Sequence, residues 1–182
     1  MMILSTFRGF ERSYPLIITF SLLMIFFITH DLKYLLLVLA LEFITLINQI
    51  LKYYVFKKIM GSNEFPIIGR GERPDDAKDC GEFIDIDERE AMSYGMPSGH
   101  SNFAAFFGLV MILTILEENY SKNLKIIKII IIVILSSLIL FSRINLKCHT
   151  YQQVIAGTTF GCLFGFIYFI NLGKIQSLLK IK

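Results

Sequence analysis

No cluster of lysine and arginine with interleaved aromatics stands anywhere in these 182 residues. With a net charge of only +3, the sequence speaks against nucleic acid as a partner. The three cysteines, Cys80, Cys148 and Cys162, form no C-x-x-C pair, which argues against a zinc site. Polar residues at every third or fourth position mark a helix on the surface of a soluble bundle, and they are missing from runs such as IIKIIIIVILSSLILF. The first apolar run has no small-residue cleavage site and is long for a secretory leader, so it is expected to remain as a span. What the chain has in excess is apolar surface. Its residues are 54% hydrophobic and its mean hydropathy is +0.61, beyond an ordinary soluble domain.

Five apolar segments, at 14–29, 34–51, 102–116, 124–141 and 154–170, approach the ~17–25 residues that a helix needs to cross hydrocarbon. The fold class expected is therefore all-α, an integral membrane helical bundle of about five transmembrane helices, forming one domain over 1–182. Two connections are short, His30 to Lys33 and Glu117 to Asn123. The stretch from Lys52 to Met96 is long and carries ten acidic residues, among them Asp75, Asp76, Asp79, Glu82, Asp85 and Asp87. A loop of that length in a compact chain is functional or disordered, and 53–96 is read as a charged loop on the catalytic side. With five crossings, the N-terminus, this loop and the turn at 142–153 share one membrane face.

Lys52, the string Gly95-Met96-Pro97-Ser98-Gly99-His100-Ser101, the pair Ser142-Arg143, and His149 all emerge on that face. Arg73, Arg143 and Lys52 supply positive charge, and guanidinium forks suit phosphate oxygens. Ser98 and Gly99 stand where a helix begins, so unpaired backbone N–H groups point at whatever binds, and Gly99 leaves room for an anion. Two histidines add a nucleophile and a proton donor, because imidazole is accessible in both charge states near neutrality. Gly157, Gly161 and Gly165, like His100, Ala104 and Gly108, repeat every fourth residue and read as faces for close helix packing. Glu42, inside the second apolar segment, is a functional candidate or a packing partner. His30 reads as a turn residue.

PSGH at 97–100 and S-R-x5-H from Ser142-Arg143 to His149 resemble the second and third signatures of the type 2 phosphatidic acid phosphatase (PAP2) superfamily. Arg73-Pro74 resembles the end of its first. The resemblance covers roughly 52–165 and implies a membrane phosphatase acting on a lipid phosphate or diphosphate, with no cofactor and no metal. It implies His149 as the nucleophile that becomes a phosphohistidine and His100 as the general acid. Lys52, Arg73, Ser98, Gly99 and Arg143 would bind the phosphoryl group.

Two positions depart from the family pattern. Seven residues before Arg73 stands Pro66 rather than a lysine, which leaves Lys52 as the candidate, with Lys57, Lys58 and Lys78 as alternatives. Four residues after His149 stands Gln153 rather than a carboxylate; its carbonyl can still accept an imidazole N–H and fix the tautomer. HTYQQV resembles the dolichyl diphosphate and glucose-6-phosphatase branches, and Arg70, Lys78 and Arg89 are available to a second phosphate. These features favour a polyprenyl or dolichyl diphosphate held in the lipid bilayer. The alternatives are a phosphatidate or sugar-phosphate phosphatase, a vanadate-dependent peroxidase, and a catalytically silent PAP2-like membrane scaffold. Lys122, Lys125, Lys128, Lys174, Lys180 and Lys182 place the opposite face in the cytoplasm by the positive-inside tendency, against Arg8 and Arg12. The active face is then lumenal or exoplasmic, where Cys80 and Cys148 could pair as a disulfide.

Overall fold

The computed structural model describes residues 2–77, 80 and 94–178. Helix α1 spans Met2–Thr29 and α2 spans Leu32–Ile50. A π-helical segment, Leu51–Phe56, carries α2 on into the short α3, Lys57–Met60. A hairpin follows, with β1 (Glu64–Phe65) antiparallel to β2 (Gly69–Arg70). Then come α4 (Gly99–Glu117), α5 (Lys122–Asn145) and α6 (Tyr151–Leu178). Five helical stretches are long and apolar enough to cross a membrane, Gly9–Thr29, Leu32–Met60, Gly99–Glu117, Lys122–Asn145 and Tyr151–Gln176. The chain is a multi-pass membrane protein.

Two boundaries correct the reading from sequence. Every helix extends past its apolar segment, because a helix end carries polar caps and interfacial residues that hydropathy alone leaves out. Lys52 does not end the second helix, and 53–60 is not loop: Tyr53, Tyr54, Val55 and Phe56 continue the helix, which stops at Gly61 with φ of +55°. Lys78, Asp79, Glu82, Asp85, Asp87 and Arg89, together with Lys180 and Lys182, lie outside the described residues.

α4 is the axis of the bundle, with ten of its 19 residues buried, whereas α5 buries three of 24. Large apolar side chains on α5, such as Ile127, Ile134 and Phe141, stand exposed as hydrocarbon-facing groups do. The core joins Tyr14 and Leu22 of α1, Leu37, Leu41 and Ile44 of α2, Phe103 and Phe106 of α4, and Ile139 of α5. α6 closes on α4 through its glycines. A Cβ on Gly157 would collide with the Ser98 carbonyl, one on Gly161 with the Asn102 carbonyl, and one on Gly165 would lie 3.2 Å from the Phe106 carbonyl. Gly108 of α4 likewise admits Ser136 of α5. Without a hydrophobic drive between helices in lipid, such close backbone approach is what packs them. Glu42 is exposed on α2, which does not fit a buried packing partner. His30, with φ of +54°, is the turn residue between α1 and α2.

Candidate active site

A cavity of about 350 Å³ opens between α1, the end of α2 with the π-helical segment, the start of α4, the loop before α4 and the turn between α5 and α6. Lys52, Arg73, Gly99, His100 and His149 line it, with Pro15, Thr45, Asn48, Gln49, Cys80 and Phe103. No acidic side chain is among the described residues lining it. The remaining candidates, Ser98, Arg143 and Gln153, are fully buried in the wall behind.

Lys52 sits in the π-helical segment, 6% exposed. The extra residue that such a turn accommodates changes the angle at which following side chains leave the helix. Lys57 and Lys58, the alternatives, are exposed and lie over the rings of Tyr53 and Tyr54. Arg73 donates from Nη1 to the Cys148 carbonyl, 3.3 Å away. Arg70 instead donates to Asp75 and to the Arg73 carbonyl, both at 2.6 Å, so its guanidinium braces the loop.

Ser98 is the N-cap of α4, and its backbone N–H donates to the Gln153 carbonyl at 3.0 Å. Ser101 Oγ donates to Ser98 Oγ at 2.9 Å. The N–H groups of the first turn project from the helix end toward the cavity side where Gly99 lies. Asn102 Nδ2 donates to Asn48 Oδ1 at 3.2 Å, which ties α4 to α2 under the cavity floor. His100 Nε2 donates to the Arg12 carbonyl at 2.9 Å. Pro15 removes the backbone donor that would serve the Glu11 carbonyl, one residue before the carbonyl that receives the imidazole.

His149 is 4% exposed and its Nδ1–H donates to Gln153 Oε1 at 2.9 Å. The amide's orientation, and with it the tautomer, is fixed from behind: Gln153 Nε2 donates to the carbonyls of Glu72 at 2.6 Å and Arg70 at 3.1 Å. Nε2 of His149 therefore keeps its lone pair. Burial, and after it the charges of Arg73 and Lys52, hold the His149 pKa well below 6.5. The backbone N–H of His149 donates to the Arg143 carbonyl at 3.1 Å, which fixes the turn out of α5. Cys80 and Cys148 are joined in a disulfide, as the shared face allowed, and it staples the loop to that turn.

The sequence pointed to both histidines, the cations and Gln153. It did not reveal the Arg12 carbonyl, the carbonyls behind Gln153, or the wall residues Thr45, Gln49 and Phe103.

The chain is 39% identical over 85 residues to Dolichyldiphosphatase 1 of Dictyostelium discoideum, a stretch covering 45% of this chain and 37% of that protein. It is 38% identical over 89 residues to Dolichyldiphosphatase of Saccharomyces cerevisiae, covering 47% and 36%. Over 92 residues it is 34% identical to a palmitoyl-protein thioesterase-dolichyl pyrophosphate phosphatase fusion of Schizosaccharomyces pombe, covering 48% and 14%. The chain thus spans little more than a third of the first two relatives. No solved structure matches it. A family model of the PAP2 superfamily matches residues 14–176, nearly the whole length of the bundle, and the chain belongs to that superfamily.

Proposed function

We propose that the chain is a membrane phosphatase that hydrolyses a lipid diphosphate of the polyprenyl or dolichyl class through a phosphohistidine. The observation that carries this is His149, buried, neutral and held by Gln153 with its Nε2 lone pair free, in a cavity walled by cations and a helix N-terminus. The lone pair forms a bond to phosphorus as the bond from phosphorus to the leaving oxygen breaks. His100 gives that oxygen its proton. Because His100 Nε2 is engaged by the Arg12 carbonyl, Nδ1 is the nitrogen that exchanges the proton. Water, deprotonated by His100, then displaces His149 and releases phosphate. Lys52, Arg73, Arg143 and the N–H groups that follow Ser98 in the first turn of α4, beginning with Gly99, stabilise the equatorial oxygens, while the Ser98 N–H stays on the Gln153 carbonyl.

Two observations support the substrate class. The cavity opens among helix ends, where a tail stays in hydrocarbon while the head reaches Arg73. The relatives named as dolichyl diphosphate phosphatases share more than a third of matched residues. The active face is assigned to the lumenal or exoplasmic side, which the Cys80–Cys148 disulfide supports, since disulfides persist in oxidising compartments.

The test is kcat/KM for a polyprenyl diphosphate, phosphatidate and glucose 6-phosphate side by side, with the purified chain in detergent. The diphosphate is expected to be preferred; tenfold better turnover of either competitor rejects the substrate class. His149→Ala is expected to abolish turnover, and radiolabelled substrate should label His149. Label on another residue rejects the mechanism.

A further inference from the structure

The hairpin after α3 presents its tip as an apolar surface. Phe65, Pro66, Ile67 and Ile68 are all exposed, Ile67 to 88%. A tip with this composition is unfavourable in water, and among the described residues none covers Ile67. Its neighbours are those of a membrane interface. Ile59 and Tyr54 stand exposed on the preceding helical turns, with Lys57 and Lys58 lying over Tyr53 and Tyr54. Tyr151 and Ile155 stand exposed on the first turns of α6. Tyrosine and lysine at helix ends mark the headgroup level. The base of the hairpin lies against those same turns of α6: a Cβ on Gly69 would meet the Gln152 side chain at 3.0 Å, and Gln153 donates to the Arg70 carbonyl. The apolar tip is therefore continuous with the lipid-facing surface of the bundle.

We propose that residues 65–68 insert into the bilayer at the catalytic face, making the hairpin a membrane-seated lip beside the cavity. The occupant of this surface is the lipid of that leaflet. Gln153 bonds the base of the hairpin and His149 at once, so the seated lip stands next to the site and presents a bilayer-held lipid diphosphate to it. That last step rests on the phosphatase reading, whereas the insertion does not.

The chain contains no tryptophan, so Ile67→Trp carries a single reporter. In vesicles of phosphatidylcholine brominated near the carbonyl end of its chains, the indole is expected to emit at short wavelength. It should lose about half its intensity or more relative to unbrominated vesicles, as an indole at the interface does. Solvent-like emission overturns insertion, and so does a blue shift that bromine leaves unquenched, which reports a protein contact. The second variant is Ile67→Asp combined with Ile68→Asp. We expect about tenfold lower kcat/KM on a long-chain lipid diphosphate in vesicles, from the lost apolar anchorage, with wild-type rates on a short-chain soluble diphosphate. Unchanged rates on both, or an equal loss on both, overturn the lip. If the wild-type chain hydrolyses neither substrate, the phosphatase reading fails and the bromolipid result alone decides insertion.

Discussion

A glutamine at position 153 does what a carboxylate there could not. Its oxygen accepts from His149 while its Nε2 donates to the Glu72 and Arg70 carbonyls. Gln153→Glu would turn an oxygen toward those carbonyls and leave them unsatisfied, at a cost of about 1–3 kcal/mol. We expect Gln153→Glu to lower both Tm and kcat; a variant as stable and active as the parent would show that the carbonyl contacts are dispensable. His149 also sets a pH expectation. Its pKa is displaced downward, so the free base persists as pH falls through 6.5, and kcat/KM is expected not to drop there on its account. Below the folded-state pKa the imidazole takes a proton and loses its lone pair. Arg73→Gln removes a cation that disfavours that proton, so the acid limb should move upward. The movement should be partial, because burial is the larger cause; a pH profile that does not move separates Arg73 from His149. At this scale the histidines and cations were legible as residue types in ordered motifs. The partners of Gln153 and His100 were not, because they are backbone carbonyls, which any residue carries.

The elements around the site are positioned by two devices of opposite legibility. The glycine row of α6 was readable from its four-residue spacing, and it lets α6 touch the backbone of α4 at the turn that carries Ser98. Gly157→Ala places a methyl group against the Ser98 carbonyl, so the helices must separate. A cost of about 1–3 kcal/mol is expected from such overpacking, with kcat falling because Ser98 and Gly99 move relative to His149. Thermal unfolding in detergent and kcat on the same sample check this, and a variant with parental values would mean that α6 yields freely. The π-helical segment Leu51–Phe56 was not readable. Its residues have ordinary helical propensity, and the wider turn is decided by what packs around it: Tyr94 Oη donates to the Phe56 carbonyl from the far end of the loop. Helix existence followed from apolar runs of membrane length, while helix ends followed from contacts that hydropathy does not report.

For the whole molecule, five alternating spans bring four helix ends to one face, and that count alone predicted which residues could meet. It could not show that α1 contributes the Arg12 carbonyl, or that the loop folds back over α6, since both depend on contacts far apart in sequence. The Cys80–Cys148 disulfide fixes the loop, closing a separation of 68 residues. Chain entropy assigns such a closure roughly 4 kcal/mol. It joins the segment carrying Arg73 to the residue beside His149, so its loss should weaken the site as well as the fold. In a Cys162→Ser background, which removes the free thiol, Cys80→Ser is expected to lower Tm and to raise KM through the loosened Arg73. The same background tests orientation. In sealed membranes, an impermeant maleimide should react from the exoplasmic or lumenal side only after an impermeant reductant has acted there. Labelling without reductant would show that the thiols are free. Labelling that requires access from the cytoplasmic side would turn the bundle over and place the proposed site against the other leaflet.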